Sequence, residues 1–169
     1  MRKIGFLFVT LFFFGFVSCV KQMPQLPSNK VIERNMDNET LLKINSKLTE
    51  KEDSTIRILA ESKGSFRKNQ LGFWYKIFHT GKGTAVKDSV QCSFDFQIMK
   101  LDNKLINSGF TKIIIGKKQS IIGLEEGLKM MHKGDSAIFI IPWYLAYGMT
   151  GNDMIPPYTS LIYRIKLRI

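Results

Sequence analysis

The sequence predicts an α+β domain of about a hundred residues beginning near residue 65, and three observations predict it. Hydrophobic periodicity changes from helical spacing to strict alternation beyond that point. Several alternating runs follow, broken by turn-forming residues, and a single helix-like piece interrupts them between two glycines.

The chain opens with Arg2 and Lys3, followed by the fourteen uncharged residues Ile4–Val17, rich in Phe and Leu. A helix that spans a bilayer needs about 20 apolar residues, so this run suits the core of a signal peptide over residues 1–18 instead. It ends in Phe16-Val17-Ser18-Cys19, which resembles a bacterial lipobox. Cleavage before Cys19 and lipidation of its sulfur would leave a membrane anchor far stronger than a single reversible acyl chain. The alternative is a short uncleaved anchor or a buried free cysteine. Val20 stands where an Asp would favour inner-membrane retention, and no acidic cluster follows. An outer-membrane lipoprotein facing the periplasm is the expected address.

Residues 19–38 contain Pro24, Pro27, Ser28 and Asn29 and little apolar periodicity, the composition of a tether. A helical extension over residues 39–64 follows. Leu41, Ile44 and Leu48 recur at helical spacing, and Thr49-Glu50-Lys51-Glu52 then reads as a capping box that starts a second helix. That helix would bury Ile56, Leu59 and Ala60 and stop at Gly64. The extension could also hold an envelope-protein partner.

From residue 65 to 169 the elements are mostly strands. Phe73–Phe78 is the first. Val90, Cys92, Phe94, Phe96 and Ile98 alternate with Gln91, Ser93, Asp95 and Gln97, directing one set of side chains to a core and the other to water. Thr111–Ile115 and Ala137–Ile141 are further candidates, with the helix Leu124–Met131 between them, bounded by Gly123 and Gly134. Leu161, Tyr163, Ile165, Leu167 and Ile169 alternate against Ser160, Arg164, Lys166 and Arg168 to form the last strand.

Composition narrows the function classes. A hydrophobic content of 44% is enough for a buried core and argues against a disordered chain. The formal charge is +11, or about +9 once Arg2 and Lys3 are removed. The basic residues are scattered rather than grouped with stacking aromatics, which speaks against nucleic acid and leaves an anionic surface as the better match. Cys92 is left over as a single thiol expected to be buried. His79 and His132 read as isolated surface histidines, so no metal and no cofactor are expected.

Three stretches in order carry a resemblance to a known family. They are Gly116–Gly127 followed by Met130-Met131-His132-Lys133-Gly134, then Ile141–Gly148, then Ile155-Pro156-Pro157 with Leu161 and Tyr163 behind it. Together with Gly81-Lys82-Gly83 they resemble the FKBP-type peptidyl-prolyl cis/trans isomerases over residues 72 to 169. The lipobox, the helical extension and Gly72-Phe73-Trp74-Tyr75 resemble, in addition, the gliding-motility-associated FKBP lipoproteins of Bacteroidota.

The resemblance implies a bent antiparallel sheet wrapped around one short helix, with an aromatic pocket between them that binds proline-containing polypeptides. Its walls would be Phe96, Ile106, Asn107, Ile121, Leu124, Tyr147, Ile155 and Tyr163, with Leu124 as the floor. Phe96, the Ile121 backbone N–H and the Tyr147 hydroxyl would carry the catalysis. Active relatives usually hold Phe, Asp and Trp at the positions of Ile106, Asn107 and Leu124, so the pocket implied here lacks an aromatic floor and a charge. Two functions follow from this: an isomerase assisting the folding of envelope proteins, or a non-catalytic binding module or subunit of an envelope machine.

Overall fold

The computed structural model describes residues 38–79 and 81–168. The signal peptide, Cys19 and all of the tether except its last residue lie outside the described residues.

The first element of the described residues is one continuous helix, α1 (Asn38–Ser62), rather than two. The expected capping box does not form. The Thr49 hydroxyl instead donates to the Asn45 carbonyl one turn back, at 2.9 Å, and Ser54 does the same to Glu50 at 2.9 Å. Hydroxyls satisfied in this way sit inside a helix without breaking it. The stop is as the sequence indicates, because Gly64 takes a left-handed φ of +61° just beyond the last turn. Among the described residues, no helix is long and apolar enough to cross a membrane.

Among the described residues, six antiparallel strands form one sheet: β1 (Arg67–Lys68), β2 (Trp74–Phe78), β3 (Gln91–Lys100), β4 (Leu105–Ile114), β5 (Ser136–Ile141) and β6 (Leu161–Leu167). Their order across the sheet is β1-β2-β5-β6-β3-β4. β4 is twice as long as the alternating pattern of Thr111–Ile115 suggests. It pairs with β3 from Met99↔Leu105 to Gln91↔Ile114, with a bulge between Ile98 and Met99. As an edge strand it leaves Ser108, Gly109 and Phe110 exposed, so its first half carries no apolar alternation.

Each face of the sheet has its own helix. On the first, Phe94, Phe139, Leu161, Tyr163 and Ile165 pack with Leu124 and Leu128 of α2 (Ile122–Lys129). Gly123, expected as the boundary of this helix, lies inside it. A Cβ at Gly123 would come within 2.5 Å of Ile141 Cγ2, and one at Gly127 within 2.7 Å of Phe139 Cε1. These two glycines, one turn apart, allow the helix to lie directly on β5.

The second face is covered by α1. Ile56 and Ala60 are buried against Met99, Ile140 and Ile162, with Leu59, Trp74 and Ile138 around them. The extension is therefore a layer of the fold, and the helix α1 closes a second core. Cys92 is buried in the first core, and burial pushes its thiol pKa up, which keeps it in the unreactive protonated form.

Candidate functional site

A cavity of about 200 Å³ opens between β3, β4, the start of α2 and the long loop that leads to β6. Phe94, Phe96 and Ile98 reach it from alternate positions of β3, as the period-two pattern requires. Ile106, Asn107, Thr111 and Ile113 line it from β4, and Leu124 from α2. Tyr147, Met154 and Ile155 come from the loop and Tyr163 from β6.

The two irregular segments at the rim are held by side-chain carbonyl groups. Glu125, buried on α2, accepts the Gly116 N–H at 3.0 Å on one carboxylate oxygen and the Ser120 N–H at 3.1 Å on the other. Gln119 accepts the Ile114 N–H at 2.7 Å. Together they fix the turn between β4 and α2 and so the position of Ile121, the N-cap of the helix. In the long loop, Asn152 Oδ1 accepts the N–H groups of Met154 and Ile155 at 3.0 and 2.7 Å. The Gly151 N–H donates to the Tyr147 carbonyl at 3.2 Å, and the Trp143 N–H to Ser160 Oγ at 2.9 Å. These bonds hold Tyr147 and Ile155 in place without regular secondary structure.

No residue lining the cavity carries a charge at neutral pH. Burial pushes the Tyr163 hydroxyl well above the ordinary tyrosine range, and the neighbouring Tyr147 hydroxyl adds to the rise. The Tyr163 phenol therefore stays protonated, and the lining offers tyrosine hydroxyls as hydrogen-bond donors. Asn107 offers an amide, and its Oδ1 already accepts the Ser108 N–H at 2.8 Å. The chemistry available is that of shape, apolar surface and neutral donors. No carboxylate, imidazole, amine or thiol stands in this lining to serve as a general base.

Of the eight expected site residues, the structure brings seven to the cavity wall: Phe96, Ile106, Asn107, Leu124, Tyr147, Ile155 and Tyr163. Ile121 is buried beside Leu124 but is not part of the wall. Its N–H takes no partner among the described residues, as expected at a helix start. Sequence reasoning missed Phe94, Ile98, Thr111 and Ile113, although the first two share the parity of Phe96 and the others follow from the β3–β4 register. It also missed Glu125. A carboxylate one turn into a glycine-rich, otherwise apolar helix face was the available signal.

The family model described as FKBP-type peptidyl-prolyl cis-trans isomerase matches residues 81–168. The FKBP-type peptidyl-prolyl cis-trans isomerase FkpA of Escherichia coli K12 is 32% identical over 114 residues, covering 64% of this chain and 41% of its own length. Its namesake in Buchnera aphidicola subsp. Acyrthosiphon pisum is 28% identical over 104 residues, covering 60% and 43% respectively. The chain thus spans well under half the length of these curated relatives. Among solved structures, FkpA from Escherichia coli superposes with a TM-score of 0.63 at 24% identity, covering 77% of this chain and 63% of that one. A peptidyl-prolyl cis-trans isomerase from Pseudomonas syringae pv. tomato gives 0.59 at 20% identity, covering 79% and 95%. At these identities the structural likeness speaks for the fold.

Proposed function

Because the chain belongs to the FKBP-type peptidyl-prolyl cis-trans isomerase family, we propose that it catalyses rotation about X-Pro peptide bonds of polypeptide substrates in the cavity between β3, β4 and α2. The observation that carries this reading is an apolar, uncharged, partly aromatic cavity with tyrosine hydroxyls in its lining. Amide resonance sets a rotation barrier of about 18–20 kcal/mol. Transfer of the amide out of water disfavours its charge-separated form, and a cavity shaped for the twisted bond binds the transition state better than either planar isomer. Phe96, Leu124 and Tyr163 would enclose the proline ring, while Ile106, Asn107 and Ile155 flank it. The Tyr147 hydroxyl and the Ile121 N–H would donate to substrate carbonyls.

The test is turnover of a short X-Pro peptide by the full chain. Wild type is expected to exceed the uncatalysed rate. Tyr147→Phe should lower kcat/KM severalfold to about tenfold, the worth of one hydrogen bond of 0.5–1.5 kcal/mol, with little change in stability. Wild-type turnover at the uncatalysed rate would overturn the enzyme reading. The second reading, a non-catalytic binding module or subunit of an envelope, gliding-type machine, would then stand. Its support is the aliphatic floor at Leu124 and the neutral Asn107.

The same reading includes anchorage as a lipoprotein through Cys19, on the periplasmic face of the outer membrane, where the isomerase would assist the folding of envelope proteins. Its support is the charged start, the apolar run and Ser18-Cys19. Cys19→Ala is expected to abolish acylation and release the protein from native membranes, read by mass spectrometry of the mature amino terminus. An unmodified thiol at Cys19 in membrane-derived protein would exclude the anchor.

A further inference from the structure

The two histidines are not isolated. His79 follows β2 directly, and His132 lies in the turn between α2 and β5. Asp135, three residues on and fully buried, stands between them. Its Oδ2 lies 3.3 Å from His79 Nδ1 and 3.8 Å from His132 Nδ1. One ligand atom from each of the three residues lies within 4.8 Å of the other two.

We propose that His79, His132 and Asp135 form a binding site for a divalent transition-metal ion such as zinc. Zinc bonds nitrogen and carboxylate oxygen at about 2.0–2.2 Å, so neighbouring ligands of a tetrahedral site lie about 3.4 Å apart. The two His–Asp separations bracket that spacing. Both imidazoles are exposed, whereas the carboxylate is buried and already fixed. Asp135 Oδ1 accepts the Gly81 N–H at 3.0 Å, and Oδ2 accepts the His132 N–H at 2.9 Å. Those bonds orient the carboxylate as outer-shell partners orient a metal ligand.

A structural role for Asp135 alone would need the two backbone N–H groups and no imidazole. The presence of two ring nitrogens beside one oxygen is what distinguishes the site. The rings stand edge to face, at 69° and 6.5 Å between centroids, and so are not stacked on one another. Two imidazoles and one carboxylate suit zinc and its neighbours rather than calcium or magnesium, which favour oxygen-rich shells. Three protein ligands leave a fourth position for water. A bound ion would tie the end of β2 to the α2–β5 turn. That turn already holds the 83–86 segment through Gly83 N–H to Lys133 O, Lys133 N–H to Thr84 O and Val86 N–H to Met131 O. The role is that of a staple, independent of proline isomerisation.

The experiment is calorimetric titration of the chelator-stripped full chain with Zn²⁺, paired with thermal melts. One equivalent should bind and raise the melting midpoint. His79→Ala and His132→Ala are each expected to weaken binding at least about tenfold and to remove the midpoint shift at matched zinc, since each deletes a ligand. Both residues are exposed, so the variants should melt with wild type in chelator. Asp135→Asn is unsuitable alone because it disturbs two backbone bonds. Absence of saturable binding by wild type, or binding that neither histidine substitution changes, overturns the proposal.

Discussion

Ile56→Ala is expected to remove about 2–5 kcal/mol of folding free energy, even though Ile56 lies well upstream of the residues that the isomerase family model matches. Its side chain is 1% exposed and sits against Met99, Ile140 and Ile162. Those three come from β3, β5 and β6 and meet through the pairs Met99↔Ile162 and Ile140↔Ile162. The contact is reinforced on the same helix by Asp53, whose Oδ1 accepts the Tyr144 hydroxyl at 2.7 Å and whose Oδ2 lies 3.4 Å from Lys68 Nζ. Burial and then the Asp53 carboxylate push the Tyr144 hydroxyl pKa up, so the phenol remains a donor. Gly72, at φ +109°, makes room for it, because a Cβ there would lie 2.8 Å from the Tyr144 oxygen.

Ile44→Ala supplies the internal comparison. Ile44 is on the same helix but 42% exposed, and its loss should fall within about 0.5 kcal/mol. Urea unfolding of the full chain measures both. An unchanged m-value for Ile56→Ala would show that α1 unfolds together with the sheet. Equal effects of the two substitutions would mean that α1 is not a structural layer. The same packing bears on how activity is assayed, since a chain begun at residue 65 would expose Ile140, Ile162 and Met99 to water. The full chain is the appropriate protein for turnover measurements.

Most of the fold was legible because the strands facing α2 alternate strictly. What escaped notice was the other face. Ile162 and Ile140 occupy positions where alternation directs side chains to water, and an apolar residue there acquires meaning only once α1 is known to cover it. Thr49-Glu50-Lys51-Glu52 misled for a local reason, because a hydroxyl that can cap a helix can also bond back to the carbonyl four residues before it. The first half of β4 lacked a pattern since one of its edges and its exposed residues face solvent. The cavity was legible through motif order and strand parity, which placed Phe96, Tyr147 and Tyr163. The Asp135 cluster was not, because His79 and Asp135 are 56 residues apart in sequence. Only the antiparallel pairing of β2 with β5 brings them together, through Phe78↔Ser136.

Leu124→Ala is the substitution expected to affect the cavity most, since it joins a stability loss to a loss of shape. Leu124 is 2% exposed, lies on α2 and lines the cavity while packing within the first core. Truncation removes its apolar contacts and enlarges a space that α2 cannot close by moving, because Gly123 and Gly127 already place the helix against Ile141 and Phe139. The expected loss is about 2–5 kcal/mol, in the upper part of that range if the neighbours do not relax. Leu124→Trp changes the same position in the opposite direction. The added ring has the open cavity to occupy, so its cost should be smaller than that of Ala, about 1–3 kcal/mol at most. It would also supply the aromatic floor that the resemblance implies this pocket lacks. Urea unfolding should therefore rank wild type first, Trp second and Ala last. At temperatures where all three remain folded, X-Pro turnover should fall for Ala and rise for Trp if the floor shapes the transition state. A stability loss below about 1 kcal/mol for Ala would mean that Leu124 does not support the cavity. Unchanged turnover in both folded variants would separate this floor from catalysis.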